Sequence, residues 1–326
     1  MSNAFDVVCI GNAKIDVFLS IHEASENLRL NKDTNELCIK SGEKIQVDKC
    51  DFLLGGNAAN VAVALSRLKL QSAICAEIGD DELSQKIIHQ LTKENVNITH
   101  LLQTKGSQAS FSMVLNFKGE RTIFSEHVDR LHNFSFDNLA TRAIYLTSLG
   151  HEWKTPYQKV FEFAKQKKIL LAFNPGTLQI EEGYNAIANI LSITDILFIN
   201  KEEAARISNS QFLISNEKGD KEIINQLLIK LQKLEPKIVV ITDGKNGSYA
   251  IDEKGEMFMY GAVPCRVVEK TGAGDAYSAG FVAATLHGLS IKEAMAWGAL
   301  NAASVIEKIG AQAGLLKKEE MQERLK

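Results

Sequence analysis

The chain is short of structure breakers and of ligand fingerprints alike. Only 4 of its 326 residues are proline. No stretch is rich in Pro, Gly and Ser, which argues against a flexible interdomain linker or a mucin-like stalk, so a second unit is expected to arise by insertion. No apolar run approaches the roughly 18 residues of a membrane span. Met1 to Phe5 lacks the basic and apolar regions of a signal peptide, and a cytoplasmic protein without a membrane partner is expected. Cys9, Cys38, Cys50, Cys75 and Cys265 are scattered and form no C-x-x-C pair, which gives no support to a disulfide framework or structural zinc and leaves buried thiols. No block of like charge occurs, and 37 basic against 40 acidic residues give a formal net charge of −3, so no nucleic-acid partner is expected. Neither G-x-x-x-x-G-K-[ST] nor a complete G-x-G-x-x-G after a strand is present, and the P-loop and standard dinucleotide readings lose support. His127 and His132 with Asp129 lack the i, i+4 geometry of a helical metal pair, and His151-Glu152-Trp153 is no zinc-protease motif.

What is there is globular. Hydrophobic residues make up 45% and charged residues 24%. At roughly 150 residues per domain the length allows two compact units, or one large α/β unit with an elaboration. Short β-branched runs alternate with helical spacing. Phe5 to Ile10, Ser72 to Ile78, Ala143 to Ser148, Ile169 to Phe173, Ile196 to Asn200 and Ile238 to Thr242 read as strands, with helices between them and from Asp275 onward. That rhythm predicts a three-layer α/β fold with a mostly parallel central sheet. Two regions break it, at about 17–53 and 106–127. In the second, Phe111, Met113 and Leu115 alternate before a Lys118-Gly119 turn and Thr122 to Phe124, so hairpins forming a small antiparallel sheet over the main body are expected.

The most informative stretch is Glu269-Lys270-Thr271-Gly272-Ala273-Gly274-Asp275. Small residues let backbone approach a ligand, and Ala279, Val282, Ala283 and Leu286 predict a helix starting near Asp275. Its free N–H groups and dipole suit an anion and are expected to keep Asp275 ionised, able to accept a proton from an attacking hydroxyl. The alternative is a glycine turn with Asp275 as helix N-cap. Leu54-Gly55-Gly56-Asn57-Ala58-Ala59-Asn60 opens another helix, where paired glycines permit close approach and Asn57 and Asn60 suit polyol hydroxyls, or where the helix is simply capped. Asp16, beyond the first strand, could accept hydrogen bonds from a vicinal diol at the carboxyl edge of the sheet, or be an ordinary turn residue. Thr242-Asp243-Gly244-Lys245-Asn246-Gly247 could wrap phosphates, and Asn200 with Glu203 could position hydrated Mg²⁺.

With those residues in hand, the chain resembles the ribokinase-like (PfkB) family of ATP-dependent sugar and nucleoside kinases. Both family signatures match, at Gly55 to Asn60 and at Thr271 to Asp275, with the N-x-x-E motif at Asn200 to Glu203 and the nucleotide-phosphate loop at Thr242 to Gly247. The resemblance implies a large α/β domain over 5–315 carrying a β-sheet lid, followed by a C-terminal helix at 316–326. It implies Asp275 as catalytic base and Gly272, Ala273 and Gly274 as anion hole. The acceptor site would comprise Asp16, Gly56, Asn57, Asn60 and Asn12, whereas Thr242, Gly244 and Gly247 would contact ATP, and Asn200 and Glu203 would organise Mg²⁺ through water. Many relatives have Asp at the position of Glu269 and hold a monovalent cation nearby, so K⁺ activation does not carry over with the rest. Gly11-Asn12-Ala13, Asn174-Pro175-Gly176 and Gly310-Ala311-Gln312 are most similar to adenosine and general nucleoside kinases. A ribosyl acceptor is therefore expected, nucleoside ahead of ribose. Gly119-Glu120-Arg121-Thr122 is common in hexose kinases, which keeps fructose or another hexose or keto-sugar as the alternative. A silent binding regulator is expected to lack the base or the anion hole, and this chain has both. Exposed lid edges are compatible with a homodimer through the lid.

Overall fold

The computed structural model describes residues 4–21, 25–31, 33–34, 36–117, 120–126, 128–210 and 220–325. The body is an eight-stranded sheet in the order β16 (Met257–Tyr260), β15 (Ser248–Ile251), β14 (Ile238–Thr242), β13 (Ile196–Asn200), β12 (Leu170–Asn174), β11 (Thr141–Thr147), β1 (Phe5–Ile10), β6 (Ser72–Cys75). From β14 to β6 every pairing is parallel, and β15 pairs antiparallel with both β14 and β16. Parallel strands sit between helix layers, so both faces must be apolar. Val7 and Cys9 of β1 point into one buried cluster, with Tyr145, Phe198 and the helices Asn57–Arg67, Ala273–Leu286 and Ile291–Ile306. Val8 and Ile10 point into the other, with Leu146, Phe173 and the helices Lys154–Lys167, Tyr184–Leu191 and Asp220–Gln232. Each such large aliphatic side chain contributes about 1.5–3 kcal/mol by burial.

The run Ser72 to Ile78, read as one strand, is two. β6 ends at Cys75, and β7 (Glu77–Ile78) leaves the body to pair with β8 (Leu102–Gln103).

A second sheet, in the order β10 (Glu120–Ser125), β9 (Phe111–Phe117), β2 (Lys14–Ile21), β5 (Lys49–Gly55), stands over the body. It is mixed and not antiparallel as expected, because β2 and β9 run parallel. The cause is connectivity. β2 and β9 each enter this sheet from the body, β2 directly after β1, whereas β5 and β10 each return antiparallel to a partner. The Lys118-Gly119 turn lies outside the described residues. A hairpin of β3 (Leu28–Asn31) and β4 (Glu36–Ile39) closes the far end, where Ile21, Leu28, Leu115 and Phe117 form a small core. The chain ends in a helix at Lys318–Arg324. Among the described residues no helix is long and apolar enough to cross a membrane.

Candidate active site

A cavity of about 330 Å³ opens between the small sheet and the carboxyl ends of β12, β13 and β14. It gathers Asp16, Gly56, Asn57, Asn60, Asn200, Glu203, Thr242, Gly272, Ala273, Gly274 and Asp275 from five separated stretches of sequence. Asn12, Gly244 and Gly247 do not line it. Asn12 instead offers its main-chain carbonyl to Ala59 N at 3.4 Å, and Gly247 packs at φ +89° against Tyr260 and Gly261.

Two helix N-termini face the cavity, and neither is capped by a side chain. Gly272 is the N-cap of Ala273–Leu286 and Gly56 that of Asn57–Arg67. Asp275 therefore sits in the first turn and is no N-cap. Uncapped N–H groups at a helix start bind anions, so the stretch Gly272 to Gly274 can hold a phosphoryl group. Gly272 has φ +79°, and a Cβ there would lie 2.5 Å from the Ala311 methyl. Gly274 has nothing within 4 Å of a Cβ, which leaves that side open to the cavity. Gly55, read as a point of ligand approach, makes room for a side chain instead: its Cβ would come within 2.1 Å of Asp16 Oδ2.

The carboxylate of Asp275 is held by Asn60 Nδ2 at 2.8 Å and Asn57 Nδ2 at 3.2 Å. Burial nevertheless pushes its pKa up to about 6, against the two amide donors that favour the anion. Desolvation of a nearly enclosed carboxylate thus outweighs the local donors, and a value of about 6 still leaves the group mostly ionised at neutral pH. A base titrating near 6 is well matched to proton transfer at neutral pH. Asp16, 5% exposed, is also raised, chiefly by burial, with Lys14 opposing.

Asn200 and Glu203 form a reciprocal capping box at the start of the helix Lys201–Ile207, with Glu203 N to Asn200 Oδ1 at 2.8 Å and Asn200 N to Glu203 Oε2 at 3.0 Å. Burial raises the Glu203 carboxyl above its ordinary value. The cap fixes both side chains at the cavity wall, so the structural and ligand-facing roles coincide. Among the described residues no three His, Cys, Asp or Glu groups gather as a metal cage. A hydrated Mg²⁺ needs no such cage, since it keeps waters and phosphate oxygens as ligands.

Sequence reasoning missed several lining residues. Lys14 donates to Ser112 Oγ at 2.7 Å from the small sheet. Arg121 of β10 reaches Thr271 Oγ1 at 2.6 Å and Glu269 Oε1 at 2.5 Å. Lys270 and Ser278 line the cavity too. Strand alternation could have found Lys14, which shares a face with Asp16, but nothing local marks Arg121.

The sequence matches the pfkB family carbohydrate kinase description over residues 6–318. The nucleoside kinase of Methanocaldococcus jannaschii is 24% identical over 98% of this chain and 96% of its own length. The 5-dehydro-2-deoxygluconokinase of Bacillus subtilis is likewise 24% identical, over 98% of this chain and 95% of its own. Among solved structures, Arabidopsis thaliana ribokinase complexed with ribose and ATP superposes with a TM-score of 0.78 at 19% identity, covering 99% of each chain. The eight-stranded body with its small mixed sheet is thus the ribokinase fold, and the chain belongs to the pfkB family of carbohydrate and nucleoside kinases, phosphotransferases with an alcohol group as acceptor.

Proposed function

We propose that this kinase transfers the γ-phosphoryl group of ATP to the primary hydroxyl of a ribosyl acceptor, a nucleoside such as adenosine ahead of ribose. The carrying observation is that Asp16 of the small sheet and Asp275 of the body line one cavity, with the uncapped start of Ala273–Leu286 beside them. In this reading Asp16 accepts hydrogen bonds from the 2′,3′-diol and directs the 5′-oxygen toward Asp275. Asp275 takes the hydroxyl proton as the new O–P bond forms and the bond from the γ-phosphorus to the bridging oxygen breaks, releasing ADP, and the N–H groups of Gly272 to Gly274 meet the charge on the transferred phosphoryl oxygens. Thr242 at the end of β14 and the Gly244–Gly247 turn contact the donor's phosphates. When bound, Mg²⁺ neutralises phosphate charge, and Asn200 and Glu203 would hold its waters. Arg121 and Lys270 add positive charge at the same wall.

The nucleoside kinase and ribokinase names of similar proteins favour a ribosyl acceptor, whereas the 5-dehydro-2-deoxygluconokinases support a keto-sugar. ADP formation with adenosine, inosine, guanosine, cytidine, ribose and fructose decides between them. Adenosine is expected to exceed 2′-deoxyadenosine in kcat/KM, and Asp16→Ala to narrow that gap, because a site built for a hydroxyl rejects its absence. Efficient fructose phosphorylation without nucleoside turnover would overturn the acceptor assignment. A homodimer pairing β10 edges belongs to the same reading, supported by Phe124 at 52% exposure on that edge strand, and sedimentation velocity measures it.

A further inference from the structure

One of the two amides that hold Asp275 is itself held. Asn60 Nδ2 donates to Asp275 Oδ2, and Asn60 Oδ1 accepts from Gln312 Nε2 at 2.9 Å. The two ends of a primary amide are nearly alike in shape, so only its partners decide which end points where. Asn60 is 4% exposed, and water competes little for it. An N–H donated into the Asn60 carbonyl also polarises that amide and strengthens its other bond. The segment bearing Gln312 is fixed on both sides. Arg67 Nη1 donates to the main-chain carbonyls of Gln312 at 2.8 Å and Leu315 at 3.1 Å, while its Nη2 pairs with Glu94 Oε1 at 2.7 Å. Ala311 packs against Gly272. Asn57 is held more weakly: among the described residues its oxygen accepts from the Ser148 hydroxyl alone, at 3.4 Å.

We propose that Gln312 is a positioning residue for phosphoryl transfer: through Asn60 it presents an N–H, and not a carbonyl, to the Asp275 carboxylate, and so sets the acidic limb of the reaction. The relay runs Gln312 to Asn60 to Asp275, and it links the C-terminal segment to the base without touching substrate. If the Asn60 amide were released, a protonated Asp275 could donate its O–H to the turned carbonyl, which would favour the protonated acid. Other groups facing Asp275 are Lys14 and Asp16 of β2 and the Tyr145 hydroxyl of β11, with Arg121, Lys270 and Glu203 on the same cavity. None belongs to the segment around Gln312, so the hydrogen-bonded route from the Gln312 side chain to Asp275 runs through Asn60, beside the packing of Ala311 on Gly272.

The inference rests on Asp275 being the base, and its test has an arm that needs no turnover. The Asp275 signal of protein labelled with ¹³C at the Asp side-chain carboxyl, assigned by its loss in Asp275→Asn, is titrated in wild type, Gln312→Met and Gln312→Glu, beside the pH profile of kcat. Gln312→Met is expected to move the Asp275 midpoint and the acidic limb upward together, lowering kcat at pH 6 by roughly three- to tenfold while leaving kcat at pH 8 unchanged. Gln312→Glu, which can only accept, reverses the Asn60 amide and gives a larger shift. In an Asn60→Ala background the Gln312→Met shift disappears. Identical titration of wild type and Gln312→Met, or a shift that persists without Asn60, overturns the relay. Should Asn60→Ala fail to fold, the contrast between the two Gln312 variants carries the test, since Gln312 is half-buried on a loop. Should Asp275→Asn keep its turnover, the base assignment falls, and the ¹³C titration still decides the relay.

Discussion

Arg121 and Glu269 lie 148 positions apart in the chain and meet at 2.5 Å, the guanidinium arriving from the small sheet and the buried carboxylate from the loop before the anion-binding helix. The same guanidinium holds Thr271, whose N–H and hydroxyl both donate to Glu269. One side chain therefore ties the lid to the loop that forms the phosphoryl site. It also brings a positive charge to the neighbourhood where other members of the family hold a monovalent cation.

Two outcomes are expected from that latch. Exchanging K⁺ for Na⁺ leaves kcat unchanged in the wild type. Arg121→Ala forfeits a charge-assisted contact of about 1.5–3 kcal/mol, so kcat/KM falls roughly 10- to 100-fold, with partial rescue by added guanidinium. The contacts from Arg121 and Thr271 all fall on Glu269 Oε1, and the buried Oε2 has no hydrogen-bond partner among the described residues, so strong K⁺ activation of the wild type would show that the guanidinium does not take the place of a cation there.

Asp275→Asn is expected to leave ATP affinity intact and to lower kcat by at least about a hundredfold, the scale of a lost general base. Its stability should move the other way. The Asp275 pKa rises from 3.8 to about 6 on folding, so the protonated form is the one the fold favours. Stability from this group is full below pH 4 and is lost as pH rises through about 6. Removing the buried charge recovers up to about 3 kcal/mol at pH 8 and little at pH 4. Urea denaturation of both proteins at the two pH values measures it, and a variant less stable than wild type at pH 8 would contradict the assignment.

The glycines of the anion-binding turn are expected to separate by function. Gly272→Ala forces a methyl into a left-handed conformation against Ala311 and should cost at least about 1–2 kcal/mol of stability. Gly274→Ala meets open space and should leave stability equal or raised by about 0.5–1 kcal/mol, while its methyl occupies the phosphoryl position and abolishes most turnover. Thermal melts and steady-state rates on the pair suffice. Equal melting temperatures for both variants would refute the distinction.

Acceptor binding is expected to slow hydrogen exchange in β2, β5, β9 and β10, because Asp16, Lys14 and Arg121 all stand on the small sheet and gain from closure over a ligand. Unchanged exchange in those strands would mean that the sheet is a fixed wall.

Much of this fold was legible because the inner residues of β1 after Asp6 and of β13 and β14 are apolar runs that stop at turn or polar residues. The break at Ala76 was not legible, since Ala73 to Ala76 is an unbroken apolar run that passes without a turn residue into Glu77 and Ile78, and only the departure to β8 ends it. The site divides the same way. Asp16, Asn60 and Asp275 stand in stretches whose glycines announce a turn beside a helix or strand end. Arg121 and Gln312 act through partners that lie 148 and 252 positions away, and no local pattern encodes such distances. The raised pKa of Asp275 was not legible, because a sequence shows the helix start but not the enclosure around it.

Asp16 rides on a strand of the small sheet, while Asp275 rides on a helix of the body, and β1 passes into β2 through Gly11 to Ala13. In the proposed reading, the span between Asp16 at the acceptor and Asp275 as its base would depend on how the small sheet sits over the body and not on side-chain length alone. An acceptor one bond longer or shorter can be matched by stopping the sheet at a different tilt, with no substitution in the pocket. Such a site would acquire new alcohols during evolution first through its hinge, and only later through its contacts.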